Sequence, residues 1–300
     1  MIDILLATFN GEKYVKQQVL SILSQTYTEW NLLIHDDGST DGTLDIIEAL
    51  SKIDARIKII EDGLKFGSPA LNFLHLVRHS KNDYVMFCDQ DDIWFDNKVQ
   101  LMYDSIRYAE IDVPVVAYSD SYVWHPSKGI QGYSNSYVAR DLRHFLFQNA
   151  GVQGCSSIFN HKMANMISAY SGLCTMHDHL LQFIGCSCGT VLYIPVPLML
   201  YRQHSGNFTG NIETINTFNK IREHSKIPVM TRSHLYANYD MIKEFRHALT
   251  LRDRQICNDY LNLDKKPLLK RLYLVIKDGF TLGQSKVLLI FKIMIRPFVG

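Results

Sequence analysis

The 300 residues, 47% hydrophobic and 20% charged, can bury one large α/β core, with or without a helical appendage. With 31 Lys and Arg against 30 Asp and Glu, the formal charge of +1 excludes a whole-protein nucleic-acid signature. Six cysteines without a CxxC pair exclude a disulfide framework and a zinc ribbon, and the expectation is a reduced, cytoplasmic protein.

"IDILLAT" (Ile2 to Thr8) has strand character and is broken by Asn10-Gly11. Val15, Val19, Ile22 and Leu23 then fall on one helical face. Asp3 and the shortness of this apolar run argue against a leader peptide. "WNLLIHDD" (Trp30 to Asp37) reads as the second strand. Ser39, Thr40 and Asp41 offer N-caps for a helix carrying Leu44, Ile47 and Leu50. "RIKIIED" is a third strand, followed by a looser stretch and a helix around Asn72 to His79. "YVMFC" is the fourth strand, and a helix is expected from Lys98 to Ala109. Strand–helix alternation at this spacing predicts parallel strands with helical crossovers, a doubly wound sheet. Further on, "VVAYSD" and "CSSIFN" read as strands, and "HKMANMISAY" and "DHLLQFI" as helices. "TVLYIPVPLMLYRQH" reads as strand, proline-marked turn and strand, and beyond Asn211 the pattern is helical. Cys88 and Cys155 lie in apolar runs and read as packing groups, as does Cys186-Ser187-Cys188.

Ligands of doubly wound sheets bind beyond the carboxyl ends of the strands. Three strands end there on polar clusters: Thr8-Phe9-Asn10, Asp36-Asp37-Gly38-Ser39 and Asp89-Gln90-Asp91-Asp92. An acid-x-acid triplet arises by chance about three times in a chain of this composition, so its position at a core strand's end is what counts. Carboxylate oxygens suit Mg²⁺ or Mn²⁺, which commonly arrive with phosphates. There is no G-x-G-x-x-G, no P-loop and no G-x-S-x-G elbow. Phosphates would therefore be handled by metal and basic side chains.

"LLATFNGEKYVKQQVLSILSQTYTEWNLLIHDDGSTDGT" followed by "YVMFCDQDDIWFDNK" resembles the inverting nucleotide-sugar glycosyltransferases of family 2, which have the GT-A fold. "YSDSYV", "GCSSIFN", "MHDHLL" and "YRQHSGN" resemble that family's bacterial rhamnosyltransferase-like branch. The resemblance covers residues 1 to about 205. It implies that Thr8, Asn10 and Glu12 line the nucleotide pocket, that Asp37 binds the base, and that Lys65 and Asn72 contact the diphosphate or sugar. It implies further that Asp89 contacts the ribose or sugar, that Asp91 and His204 bind Mn²⁺ or Mg²⁺, and that Asp178 is the catalytic base. Asp120 and His177 are candidate acceptor contacts. On the residues alone, Asp178 could cap a helix as well as or instead of serving as base, His204 could be structural, and Asp120 could be a polar strand end.

The expected organisation is a GT-A domain over 1–210, with a nucleotide-sugar half (1–110) and an acceptor half (111–210), then a helical extension over 211–300. Residues 265–300 hold eight Lys or Arg and one acid, which leaves the rest with 23 basic and 29 acidic residues. Leu268, Leu272, Val275 and Ile276 share a helical face there, flanked by lysines and arginines. No stretch is long and apolar enough to span a bilayer. A basic amphipathic tail suits the anionic inner surface of the plasma membrane, and a lipid-linked glycan acceptor with it. Packing on the body or a homodimer contact is the alternative. Transmembrane helices and a Q-x-x-R-W motif, marks of processive synthases, are missing, so single addition is expected. Two competing functions are a sugar nucleotidyltransferase, for which "TFNGEKY" is a poor loop, and a non-catalytic nucleotide-binding scaffold.

Overall fold

A computed structural model describes residues 1–134, 137–148, 152–204, 206 and 228–300. Its parallel half follows the expected order. Strands β1 (Ile2–Thr8), β2 (Trp30–Asp36), β3 (Ile57–Ile59) and β4 (Tyr84–Asp89) alternate with helices α1 (Val15–Leu23), α2 (Thr43–Ser51) and α3 (Pro69–His79). After β4 come the two-residue β5 (Ile93–Trp94) and α4 (Lys98–Ile106). The second half adds β6 (Val115–His125), β7 (Gly129–Tyr133), α5 (Leu142–Phe145), β8 (Ser157–Asn160), α6 (His161–Ala169), α7 (His177–Cys188) and β9 (Thr190–Arg202). One nine-stranded sheet results, in the order β3-β2-β1-β4-β8-β6-β9-β5, with β7 paired to the C-terminal end of β6. Strands β1 to β4 are mutually parallel, as are β6 and β9, whereas β8 pairs antiparallel with β4 and β6.

Strand alternation explains the two cores. Leu5, Leu33, Val85, Phe87, Val116 and Tyr118 point to one face of the sheet. Their neighbours Ile4, Leu32, Met86, Cys88, Val115 and Ala117 point to the other. The first face is covered by α3, α5, α6 and α7 and by the C-terminal helices, the second by α1, α2 and α4. Cys88 and Cys155 are buried packing groups as expected, and all six cysteines are free thiols.

Several local expectations are corrected. Helix α2 starts after Gly42; of the three expected caps only Asp41 reaches it, accepting from the Thr43 amide at 3.1 Å, whereas Ser39 and Thr40 bond to Asn10, and Leu44 is exposed. The proline-marked turn is a register shift inside the continuous strand β9, where Ser119 pairs with Ile194 but Asp120 with Pro197. Proline has no N–H for the ladder, so the strand slips without reversing.

The C-terminal part comprises α8 (Arg232–Glu244), α9 (Leu251–Leu261), α10 (Leu268–Asp278) and α11 (Lys286–Ile295). The expected boundary near residue 210 lies outside the described residues. Met241, Tyr260, Val275, Phe280 and Phe298 share one core with the sheet face. Residues 297–300 return to pair with 229–232: the Val229 amide donates to Pro297 O at 2.9 Å and the Arg232 amide to Gly300 O at 3.0 Å. Helices α10 and α11 carry two apolar stripes each. Val275 in α10 and Leu289 and Ile293 in α11 pack inward, while Leu269, Tyr273 and Ile276, and Val287, Phe291 and Met294, are exposed. Ile276, expected to share one face with Val275, is therefore on the outer one while Val275 packs inward. Among the described residues no helix is long and apolar enough to cross a membrane.

Candidate active site

The register of β1 on β2 sets Thr8 beside Asp36. Thr8 Oγ1 donates to Asp36 Oδ2 at 2.8 Å, and Asp36 also accepts from the Gly38 and Ser39 amides at 3.0 and 2.7 Å. This carboxylate folds the "DDGS" turn on itself. Gly38 has φ +89°, which favours glycine in this turn, and the Lys65 side chain lies close against it. Asn10 Oδ1 accepts from the Thr40 amide at 2.9 Å and Glu12 Oε2 from the Gly42 amide at 3.1 Å. Asn10 and Glu12 stay exposed at the strand ends; Thr8, 1% exposed, acts through Asp36.

Asp37 and Asn72 differ from expectation. Asp37 is buried, and its carboxylate accepts from the backbone amides of Phe66 and Ser68. It reaches a base only if that segment yields. Asn72 is 2% exposed, with Oδ1 on His35 Nδ1 at 2.7 Å and Nδ2 donating to His35 O at 3.3 Å. A buried α3 residue locked to β2 has no surface for a sugar, so its expected donor contact is withdrawn.

The acidic cluster after β4 divides by depth. Gln90 is a clamp: its side-chain amide accepts from Phe9 N and donates to Phe9 O, both at 2.9 Å, fastening the end of β1. Asp91 and His204 meet across the cleft, Oδ2 to Nε2 at 2.8 Å. Arg202 Nε donates to Asp91 O at 2.6 Å, its amide to Asp92 Oδ1 at 3.1 Å, and its guanidinium stacks between Tyr14 and Trp124. Below, Asp89, Asp92 and Cys155 converge, with one ligand atom from each within 4.8 Å of the others. Burial and the Asp91 charge raise the Asp89 carboxyl to about 6. Burial, then Asp91 and Asp89, raise Asp92 well above the carboxylate range. Their cation is Lys98, fully buried at the start of α4, with Nζ donating to Cys155 O at 2.6 Å and lying 3.9 Å from the Trp94 ring centroid. Burial lowers this ammonium to about 8 against the pull of its neighbours, the Asp92 and Asp89 carboxylates included. Sequence reasoning missed Lys98, Gln90 and Arg202 as site residues, although all three lie inside motifs it singled out.

Asp178 lies in the first turn of α7, two residues past the boundary residue Met176, and is therefore not its N-cap. Its Oδ1 is enclosed with no hydrogen-bond partner among the described residues. Burial and the charge of Asp89 raise this carboxyl to about 7, against hydrogen bonds from the His179 and Asp178 amides. His177 is 4% exposed, wedged between Phe73 and Phe87 with ring centroids 4.0 and 4.6 Å away. Burial lowers it to about 3, so the ring is neutral packing and cannot touch an acceptor as expected. Asp120 sits at the β6–β9 slip, where Oδ1 accepts from the Ser121 amide at 2.7 Å.

A doubly wound nucleotide half, an acidic triplet at the end of its fourth strand, and a mixed second half bearing a buried carboxyl define a GT-A-type protein. The chain belongs to glycosyl transferase family 2, whose family model matches residues 3–166. It is a glycosyltransferase. Over 218 residues it is 29% identical to the dTDP-rhamnosyl transferase RfbG of Shigella flexneri, covering 68% of this chain and 73% of RfbG. The Escherichia coli UDP-Glc:alpha-D-GlcNAc-diphosphoundecaprenol beta-1,3-glucosyltransferase WfgD is 31% identical over 101 residues, 34% of this chain and 39% of its own. In fold the chain is similar to S. aureus TarS (residues 1–349) crystallised with UDP-GlcNAc, at TM-score 0.55 and 14% identity over 92% of this chain and 88% of that one.

Proposed function

We propose that the protein moves one sugar from a nucleoside-diphosphate donor to a glycan acceptor by a single displacement with inversion. The observation that carries this reading is Asp178: an enclosed carboxyl held near neutrality, without a hydrogen-bond partner on Oδ1, beside the acidic triplet. A base poised near the working pH is what removal of a hydroxyl proton needs. As the acceptor oxygen bonds to the anomeric carbon, its proton passes to Asp178 and the bond to the donor's diphosphate breaks. One carboxylate in this role gives inversion.

Asp91 and His204 fit a divalent cation. A carboxylate oxygen and an imidazole nitrogen 2.8 Å apart match neighbouring ligands around an ion that sits ~2.1 Å from each. Mn²⁺ or Mg²⁺ there supplies charge neutralisation for the leaving diphosphate. Lys65, beside the "DDGS" turn, adds a mobile-stemmed positive charge for the same phosphates, and Asn10 and Glu12 form the nucleotide rim. Likeness to RfbG supports a dTDP-rhamnose donor, with UDP-hexoses as the alternative class. The basic tail and its outer apolar stripes, together with the diphosphoundecaprenol acceptor in the WfgD name, support a lipid-linked acceptor at the inner membrane surface in bacterial polysaccharide synthesis.

Calorimetric titration with UDP, dTDP and GDP, each with Mn²⁺ and with EDTA, tests the donor site. We expect metal-dependent binding of one nucleotide, lost in Asp91→Ala and kept in Asp178→Ala, which in turn loses transfer. Absence of nucleotide binding in every condition would sink the proposal in favour of a scaffold.

A further inference from the structure

A second group of ligating side chains sits two strands across the sheet from Asp89, since Ala7 of β1 pairs with His35 on one side and with Asp89 on the other. His35 is the penultimate residue of β2, Asp62 follows β3, and His75 is in α3. Their ligand atoms all lie within 4.8 Å of one another. His75 Nε2 is 2.6 Å from Asp62 Oδ2 and His35 Nε2 is 3.3 Å from Asp62 Oδ1.

The hydrogen bonds fix the state of His35. Asn72 donates through Nδ2 to His35 O, so the atom it turns to His35 Nδ1 is its carbonyl Oδ1, and Nδ1 must carry the ring proton. In the neutral imidazole Nε2 is then a lone pair, and it faces a carboxylate oxygen. Two acceptors at 3.3 Å in a residue 1% exposed call for a positive charge between or on them. An imidazole that gives one N–H to a fixed oxygen and turns its other nitrogen toward a carboxylate and a second imidazole is arranged as metal-bound histidines are. Phe66 covers the group, with its ring centroid 5.6 Å from His35 and 5.0 Å from His75. His79, one helical turn beyond His75, brings a further ring to 4.7 Å from it.

We propose that His35, Asp62 and His75 form a metal site separate from the reaction centre, for a borderline dication of the Zn²⁺ type. Two imidazoles and one carboxylate suit Zn²⁺ or Co²⁺ better than Mg²⁺, so the two sites differ in the ion they prefer. The ion fastens β2, the segment after β3 and α3 to one another. That segment carries Lys65 and the Phe66 and Ser68 amides that hold Asp37. A loaded site therefore sets the wall of the nucleotide pocket without touching the substrate.

The test uses the full chain carrying Asp91→Ala, which silences the cation pair of the reaction centre. After EDTA treatment and desalting, Zn²⁺ binding is measured by equilibrium dialysis, and Co²⁺ binding by visible absorption. We expect one tight equivalent, a ligand-field band of low-coordinate Co²⁺, and slower amide exchange over residues 62–68 on loading. Adding Asp62→Asn or His75→Gln should weaken binding at least tenfold and erase the band. Asp62 is on the surface, so its variant decides the matter even if the His75 variant misfolds. No tight equivalent, or one indifferent to both substitutions, would mean that the group is a charged His–Asp–His network only. The readouts are independent of transferase activity, so this result and the function proposed above stand or fall separately.

Discussion

At the residue scale the site is governed by two ionisable groups, the half-buried Asp178 and the fully buried Lys98. Asp178→Asn should lower the transfer rate by roughly 10²–10⁴-fold, the range for losing a general base, while nucleotide affinity by calorimetry stays unchanged. The same carboxyl bears on stability. Its folded pKa is raised from 3.8 to about 7, so between those values the folded state holds a proton that the unfolded chain has lost. Stability from this group falls as pH rises through that window and is lowest above it. Asp178→Asn should therefore melt higher than the parent at pH 8, by about 1 kcal/mol or more, and the gain should vanish near pH 4. Lys98 presents the opposite case. Lys98→Met leaves Asp89 and Asp92 buried against no cation, and urea denaturation at pH 7.5 should show a loss of about 3–5 kcal/mol. At pH 5, below the value of about 6 to which Asp89 is raised, that carboxyl is protonated and the loss should shrink.

At the scale of elements, legibility followed locality. Strand β1 and helix α1 match the sequence pattern at both ends, because each is read from neighbours a few residues apart. Strand β5 was invisible: two residues long, it exists only because Ile93 and Trp94 pair with Leu200 and Met199 of β9. Strand β7, largely exposed and holding two glycines, shows no apolar alternation. Lys98 reads as a solvated residue at a helix start, and its burial depends on Cys155 and Met199, far along the chain. Asn72 and His177 mislead for a related reason. A polar residue close in sequence to a ligand edge can turn inward when a partner such as His35, or a cage such as Phe73 and Phe87, awaits it. Gly154 links elements that no local reading joins, since a Cβ there would lie 2.5 Å from His177 Nε2. Gly154→Ala must push His177, and with it the first turn of α7 that carries Asp178. We expect a loss of about 1–3 kcal/mol in stability, the usual range for overpacking. A kcat reduced on the order of tenfold, with nucleotide affinity unchanged, should accompany it, because a small misplacement of a reacting group is costly. An unaltered kcat would show that α7 does not transmit the shift.

On the scale of the whole molecule, charge and apolar surface are segregated. The basic residues concentrate in 265–300, but Arg271 is tied to the Leu263 and Asp264 carbonyls, and Lys277 to Asp259 at 2.9 Å. The outward charge rests on the others, around the unpartnered stripes of α10 and α11. Co-sedimentation with vesicles rich in anionic lipid should fall at least tenfold in affinity for Leu269→Glu with Phe291→Glu, and should weaken with salt. Binding equal to the parent's would remove the membrane reading. The return of residues 297–300 to residues 229–232 has a consequence for biosynthesis. Strands β1 to β4 and their crossover helices all precede residue 110 and can assemble while the ribosome is still working, before β8 and β9 arrive to pair with β4 and β5. The core under helices α8 to α11 is complete only when the stretch holding Phe298 has emerged, so part of their inner stripes stays bare until then, beside outer ones that the fold itself leaves open. During that interval the nascent chain is a natural client for chaperones. A messenger cut short before Pro297 should yield protein that still holds nucleotide yet clumps in the cell.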